Sequence, residues 1–431
     1  MTWPVLRLRR VCRLQSGLTV DGSREVTGDA VTHPYLRVAN VQAGWLNLDN
    51  VAEISVPRSI AASTMLRPGD VLMTEGGDLD KLGRGTVWRG EIPVCLHQNH
   101  VFAVRPHAGV LDARYLAYVT QSSNSRHYFE SSGTKTTNLA STSSSKILDL
   151  PIPCPPFVEQ RRVADFLDEE TARLDNVLST LNSALDRLQE RRVSGIHHAV
   201  TGGSIEDRRP SNLPWASTLP AKWRTVKLSL AAQMGSGHTP SRSHPEWWTD
   251  CTIPWITTGE ISQVRDDRRE VIFETREKIS HVGIANSSAE LHPEGTVVLC
   301  RTASAGYSGV MGNDMATSQD FVTWTCGPRL DPFYLLWCLR AMRGDLLGRL
   351  AMGSTHKTIY VPDLQMLRIP LPPIEEQRSI VSTIRNTNRQ IDSLVDAIEA
   401  QLALLTERRQ AVITAVVMGQ INVTAIRMAM A

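Results

Sequence analysis

The chain has 431 residues, 42% of them hydrophobic and 21% charged, and its 46 Lys+Arg against 44 Asp+Glu leave a formal net charge of +2. This composition excludes a mainly disordered chain, and at roughly 150 residues per domain it implies two or three domains. No apolar run reaches the roughly 18 residues that cross a bilayer, the start is unlike a signal peptide, and seven scattered cysteines without a Cys-x-x-Cys pair point to a reducing cytosol.

Taken in chain order, residues 1–150 alternate short apolar runs with Gly, Pro, Asn and Asp. Residues 69–73 and 101–104 predict strands, and Asp112 predicts the N-cap of a helix carrying 115–118. The serine-rich stretch 141–145 predicts a loop. The proline-rich joint 151–156 then opens a helical spacer, 151–205. Its apolar residues Val163, Leu167, Leu174, Leu178, Leu181, Leu185, Leu188 and Ile196 follow the 3.5-residue period of a coiled-coil seam. Residues 211–220 predict a linker into a second domain, 206–366. There 296–300 and 321–324 predict strands and Asp331 caps a helix carrying 334–337. A second joint, 369–373, leads into a second helical spacer, 367–431, with a seam of Ile380, Ile384, Ile391, Val395, Ile398, Leu402, Leu405 and Ile413.

The order is a duplication. Pro155-Pro156-x-x-Glu159-Gln160-Arg161 recurs as Pro372-Pro373-x-x-Glu376-Gln377-Arg378, and Glu190-Arg191-Arg192 recurs as Glu407-Arg408-Arg409. At that offset 155–202 and 372–419 share 14 identities in 48 positions. The preceding segments match only loosely, as in Leu111-Asp112-x-x-Tyr115-Leu116 against Leu330-Asp331-x-x-Tyr334-Leu335. Each helix of ~45 residues is about 66 Å long and cannot bury its stripe alone. The economical arrangement is therefore two α/β domains separated by two long helices packed as an antiparallel coiled coil, an α+β fold with pseudo-twofold internal duplication. The repeated Glu-Arg-Arg faces fit a solvated surface and a partner-docking surface equally.

Chemistry-bearing motifs are sparse. No phosphate loop is present, and His97, His100, His197 and His198 lack partners at metal-ligand spacing. Asp331-Pro332-Phe333-Tyr334 resembles the signature of DNA adenine methyltransferases, but the other copy reads Asp112-Ala113-Arg114-Tyr115, and a helix cap explains both. Residues 1–150 carry 16 Lys+Arg against 13 Asp+Glu and residues 206–366 carry 17 against 17, so nucleic-acid binding requires charges sorted onto one face. Most basic residues are arginine, which suits guanine and phosphate and equally reflects a G+C-rich genome.

The repeated helix starts, the Leu219-Pro220-Ala221-Lys222-Trp223 entry and Gly69-Asp70-Val71-Leu72 followed by Leu82-Gly83-Arg84 resemble the DNA specificity subunit of type I restriction–modification systems. Thr134-Lys135-Thr136 and His356-Lys357-Thr358, each upstream of a joint, fit the same family. The resemblance implies a non-catalytic cytoplasmic protein whose two target-recognition domains read a bipartite, asymmetric site in double-stranded DNA, with no membrane partner. It implies a scaffold for two methyltransferase subunits, joined by endonuclease/translocase subunits. S-adenosylmethionine, ATP and Mg would belong to those partners, and this chain would hold no cofactor or metal. The implied base readers are Arg84, Lys135, Thr136, Asn138, Arg301, Lys357 and Thr358. The implied docking and spacer residues are Glu159, Gln160, Arg161, Leu185, Leu188, Glu190, Arg191 and Arg192, with Glu376, Gln377, Arg378, Leu402, Leu405, Glu407, Arg408 and Arg409 in the second copy. Two other readings stay open: a self-contained adenine methyltransferase, and a coiled-coil scaffold that binds protein.

Overall fold

The computed structural model describes residues 3–19, 29–77, 82–135, 140–353, 357–423 and 425. It divides into two compact units, 1–181 with 400–431, and 182–399. The division falls inside both long helices, so each unit holds one domain, the start of its own helix and the end of the other.

In the first unit, Val5–Arg7 pairs antiparallel with Pro151–Pro153, so the joint is itself a strand. The two prolines are tolerated because this ribbon has only two strands. The central sheet runs Cys12–Gln15, Val101–Pro106, Val71–Thr74, Gly85–Val87, all antiparallel. A smaller sheet sets Ala30–Leu36 between Ala52–Pro57 and the parallel strand Leu96–His97. The helix Ala113–Gln121 packs Leu116 and Val119 into the same core as Val71, Phe102 and Val104. Val163 and Leu167 of one long helix and Ile413 and Val416 of the other complete that core.

The second unit repeats this plan. Arg224–Lys227 pairs with Arg368–Leu371. Ala232–Ser236, Phe321–Cys326, Val297–Cys300 and Ser308–Met311 form the central sheet, extended by the parallel strand Val271–Ile272. Ile253–Ile256 again pairs with one antiparallel and one parallel neighbour. Gly69 (φ +92°) and Gly295 (φ +81°) occupy the same left-handed turn before the central strand. The two domains share a fold although their sequences match loosely, because a core asks for apolar residues of suitable volume at fixed positions rather than for identities.

Two expected loops are ordered structure. Within 141–145, Ala140–Ser141 is a strand and Ser143 caps the helix Ser144–Asp149. The expected linker 211–220 is a hairpin, Arg208–Leu213 against Ala216–Pro220, that buries Leu213, Ala216 and Leu219 beside Trp223. From it Arg208 donates to Gly202 O (2.6 Å) and Thr201 O (3.3 Å), closing the C-terminus of the first long helix with a cation.

The long helices are Phe157–Val200 and Ile374–Val417. Asp175 meets Arg409 and Arg192 meets Asp392, so one helix ascends where the other descends. Val163, Leu167, Leu174, Ile384, Ile391 and Ile413 are buried, whereas Leu185, Leu188, Leu402 and Leu405 are only half-buried. Two helices cover a seam on one side only, which leaves the middle of each stripe partly open.

Candidate functional site

The repeated glutamine is a latch. Gln160 is fully buried; its Oε1 accepts from Asp112 N (2.8 Å), and its Nε2 donates to Val110 O (2.9 Å) and Pro155 O (2.8 Å). Gln377 repeats these three bonds: Oε1 accepts from Asp331 N (2.9 Å), and Nε2 donates to Arg329 O (2.9 Å) and Pro372 O (2.8 Å). Each fixes the start of its helix to the strand exit of its own domain. The expectation that Gln160 and Gln377 face a partner is therefore corrected, since neither has surface to offer.

Arg192 also departs from the docking reading. Its side chain is 3% exposed and paired with Asp392, so it is an interhelical tie. Arg409 makes the corresponding bond to Asp175 (2.9 Å) but stays 24% exposed. Glu376 accepts from Trp223 Nε1 (3.2 Å), and Glu159 pairs with Arg162 (3.3 Å). Arg161, Glu190, Arg191, Arg378, Glu407 and Arg408 are exposed and leave a charged outer face on each helix.

Each domain is bolted to its long helix by a different set of bonds. In the first unit Arg114 reaches Asp165 (2.8 Å) and Asp168 (2.7 Å), and Tyr118 donates to Asp168 (2.7 Å). In the second, Arg340 is buried and donates to the carbonyls of Asp267 (2.8 Å) and Arg269 (2.6 Å). Burial draws the Arg340 guanidinium down to about 10, against the pull of Asp267. The loop so pinned sends Arg268 to Asp396 (2.7 Å) and Glu270 to Arg385 (2.9 Å) on the helix. No sequence motif announced these bolts.

The methyltransferase-like stretch is spent on structure. Asp331 Oδ1 accepts from Phe333 N (2.9 Å) and Tyr334 N (3.1 Å), as Asp112 Oδ1 does from Arg114 N and Tyr115 N. Tyr334 is fully buried and donates to Val200 O and Pro370 O. An N-cap explains both copies.

At the opposite end of each central strand the two domains diverge. Val71–Thr74 ends at Glu75, whose N–H donates to His100 O (2.9 Å) and whose carbonyl accepts from Thr142 N (2.7 Å). Val297–Cys300 ends at Arg301, whose N–H donates to Asp320 O (2.8 Å) and whose carbonyl accepts from Ile359 N (2.8 Å). Glu75 and Arg301 are thus equivalent, as are His100 and Asp320. Glu75 Oε2 lies 2.5 Å from His100 Nδ1. Arg301 Nε donates to Gln319 O (3.0 Å), while Asp320 accepts from Thr302 and from Ser318 (3.2 Å).

The structure gathers several expected base readers beside these ends. Thr134–Lys135 pairs with Ala140–Ser141, which pairs with Gly76–Gly77. Thr358 bridges Thr302, and Lys357 next to it is exposed. Arg84 O accepts from Thr74 N (3.3 Å), and its Nη1 donates to Gln42 (3.3 Å). Thr136 and Asn138 lie outside the described residues, as does the side chain of Lys135. Glu75, His100 and Asp320 escaped sequence reading because equivalence between the halves is visible here only through backbone pairing.

The model of the type I restriction modification DNA specificity domain matches residues 220–404. The chain is 21% identical over 441 residues to a putative type I restriction enzyme MjaX specificity subunit of Methanocaldococcus jannaschii, covering 98% of this chain and 94% of that one. It is 19% identical to the type I restriction enzyme EcoBI specificity subunit of Escherichia coli, covering 98% and 86%. Among solved structures it resembles a chain from work on complex assembly and conformational transition of the type I R-M system (TM-score 0.72, 20% identity, 97% and 98% covered). It also resembles the HsdS subunit of Thermoanaerobacter tengcongensis (TM-score 0.53, 19% identity, 97% of each chain). Residues 220–404 thus carry the type I restriction modification DNA specificity domain, and the chain as a whole, with its duplicated domains, repeated latch and paired long helices, resembles type I restriction enzyme specificity subunits along nearly its full length.

Proposed function

We propose that this chain is the DNA sequence-specificity subunit of a type I restriction–modification complex. Each domain reads one half of a bipartite site. The exposed faces of the long helices receive two methyltransferase subunits, and endonuclease/translocase subunits join them. Methyl donor, ATP and Mg act in those partners, within the cytoplasm, and this chain makes no bond itself. The observation that supports this most directly is one backbone plan built twice, with identical latches at the helix end and opposite charges at the loop end. Two surfaces that serve the same partner have reason to stay alike, and two that read different bases have reason to differ.

The test is expression of this chain with a type I methyltransferase subunit, followed by mapping of modified adenines in the host DNA. The expected result is one two-part recognition sequence, of which exchanging 1–150 for a homologous domain replaces one half only. Methyl transfer by the chain alone would refute the reading. So would an assembled complex that modifies adenines without sequence preference.

A further inference from the structure

Glu75 and Arg301 stand at the same point of the same sheet with opposite charge. Each is held there by two backbone hydrogen bonds, one from its N–H and one to its carbonyl. A side chain mounted on a doubly bonded strand end is positioned more tightly than one on a free loop, which is what discrimination between bases needs. Local stability does not account for the placement of either side chain. His100 is 52% and Glu75 27% exposed, and exposed pairs contribute at most about 1 kcal/mol. Asp320 is already occupied by Thr302 and Ser318, and Arg301 spends only Nε, on Gln319 O. Its two terminal nitrogens, like Glu75 Oε1, have no partner among the described residues.

On the reading of the chain as a DNA specificity subunit, we infer that Glu75 and Arg301 are base-reading residues of opposite type. The fork of Arg301 matches the O6 and N7 acceptors of guanine in the major groove. The Glu75 carboxylate, steadied by His100, accepts from an exocyclic amino group, that of cytosine (N4) or adenine (N6). One domain thus requires a guanine where the other requires an amino-bearing base. His100 acts as a positioning residue for Glu75, and the backbone carbonyl of Gln319 holds Arg301 Nε.

The experiment maps modified adenines for the wild-type chain and for Glu75→Gln and Arg301→Gln, each assembled with the methyltransferase subunit. In the wild type, the half-site assigned to 206–366 contains an obligatory guanine and the half-site assigned to 1–150 an obligatory cytosine or adenine. Arg301→Gln relaxes that guanine, with discrimination falling on the order of tenfold or more at one position, and leaves the other half-site intact. Glu75→Gln does the same in the first half-site only. A complex that Glu75→Gln prevents from assembling is replaced by Glu75→Asp, which shortens the reach and is judged by the same criterion. The inference is overturned by an unchanged site in both variants, by equal weakening at every position of both half-sites, or by a wild-type second half-site without guanine. A wild-type complex showing no bipartite site at all instead overturns the function on which the inference rests.

Discussion

The two interhelical ion pairs are equivalent in sequence and unequal in burial, which makes their removal a measurable test of how the helices are held. Arg192 is 3% exposed and Asp392 24%, whereas Arg409 is 24% and Asp175 53% exposed. Arg192 Nε and Nη1 are buried without a partner among the described residues, so Asp392 is the carboxylate that compensates this guanidinium. Asp392→Ala strands a buried charge and should cost about 3 to 5 kcal/mol. Asp175→Ala opens a solvent-exposed pair and should cost at most about 1 kcal/mol. Each unit holds part of both long helices, so urea unfolding followed by far-UV circular dichroism reports on the two units alike. With a slope of about 2.5 kcal/mol per M, the Asp392→Ala midpoint should fall by roughly 1 to 2 M, and the Asp175→Ala midpoint by less than about 0.5 M. Arg192→Met combined with Asp392→Leu should recover most of the loss, since an apolar pair replaces a buried ion pair at little cost. Equal shifts for the two single variants, or a double variant worse than Asp392→Ala, would refute the burial argument.

Three further outcomes are expected. Gln377→Ala strips the partners from one N–H and two carbonyls, and should lower stability by about 3 kcal/mol; Gln160→Ala should match it within ~1 kcal/mol in the first unit, by the same denaturation measurement. Asp331→Ala should cost about 1 kcal/mol and Asp331→Asn a few tenths, while DNA methylation by the assembled complex persists in both; loss of methylation with intact assembly would restore a catalytic role. Burial pushes the thiols of Cys12, Cys95, Cys300, Cys326 and Cys338 up to about 12 from the ordinary value near 8.5. Raised values mean that the folded chain holds these protons more tightly than the unfolded one. The stability they contribute is full below about pH 8.5 and is lost as pH rises toward 12. Urea midpoints should therefore fall between pH 8 and 10, and a rise would contradict the assignment.

What could be read from sequence was what repeats. The Pro-Pro joints, the 3.5-residue seam and the capping aspartates Asp112 and Asp331 each have a local cause, so their helices and caps stand where expected. Tertiary partners were not legible. Gln160 sits in the same short motif as Arg161, yet one is fully buried and the other exposed. Only the arrival of Val110 O and Asp112 N from the preceding domain decides between them. The hairpin Arg208–Leu213/Ala216–Pro220 looked like a linker because its own sequence is rich in Ser, Pro and Asn. Its stability comes from Trp223 and from the helix end it closes. The Arg340 bolt was equally silent, since its partners are backbone carbonyls, which any residue supplies.

The position of the latch relative to the strand end that carries Glu75 or Arg301 has a mechanical consequence within each unit. A single strand joins the two. Val101–Pro106 begins beside His100 and leads through Leu111 to the Asp112 N–H held by Gln160, and Phe321–Cys326 leads from Asp320 to the Asp331 N–H held by Gln377. Six extended residues span about 20 Å; one neighbour pairs with 101–104 and the other with 103–106, and in the second unit the neighbours pair with 321–324 and 322–326. The strand end beside Glu75 or Arg301 is therefore tied to the start of the long helix by one paired strand and the short turn that follows it, 107–111 in the first unit and 327–330 in the second. Substitutions at Glu75, His100, Arg301 or Asp320 change side-chain chemistry at one end without touching any bond of the latch at the other. Side chains at this strand end can then change while the start of the long helix stays fixed, and this separation follows from the fold itself.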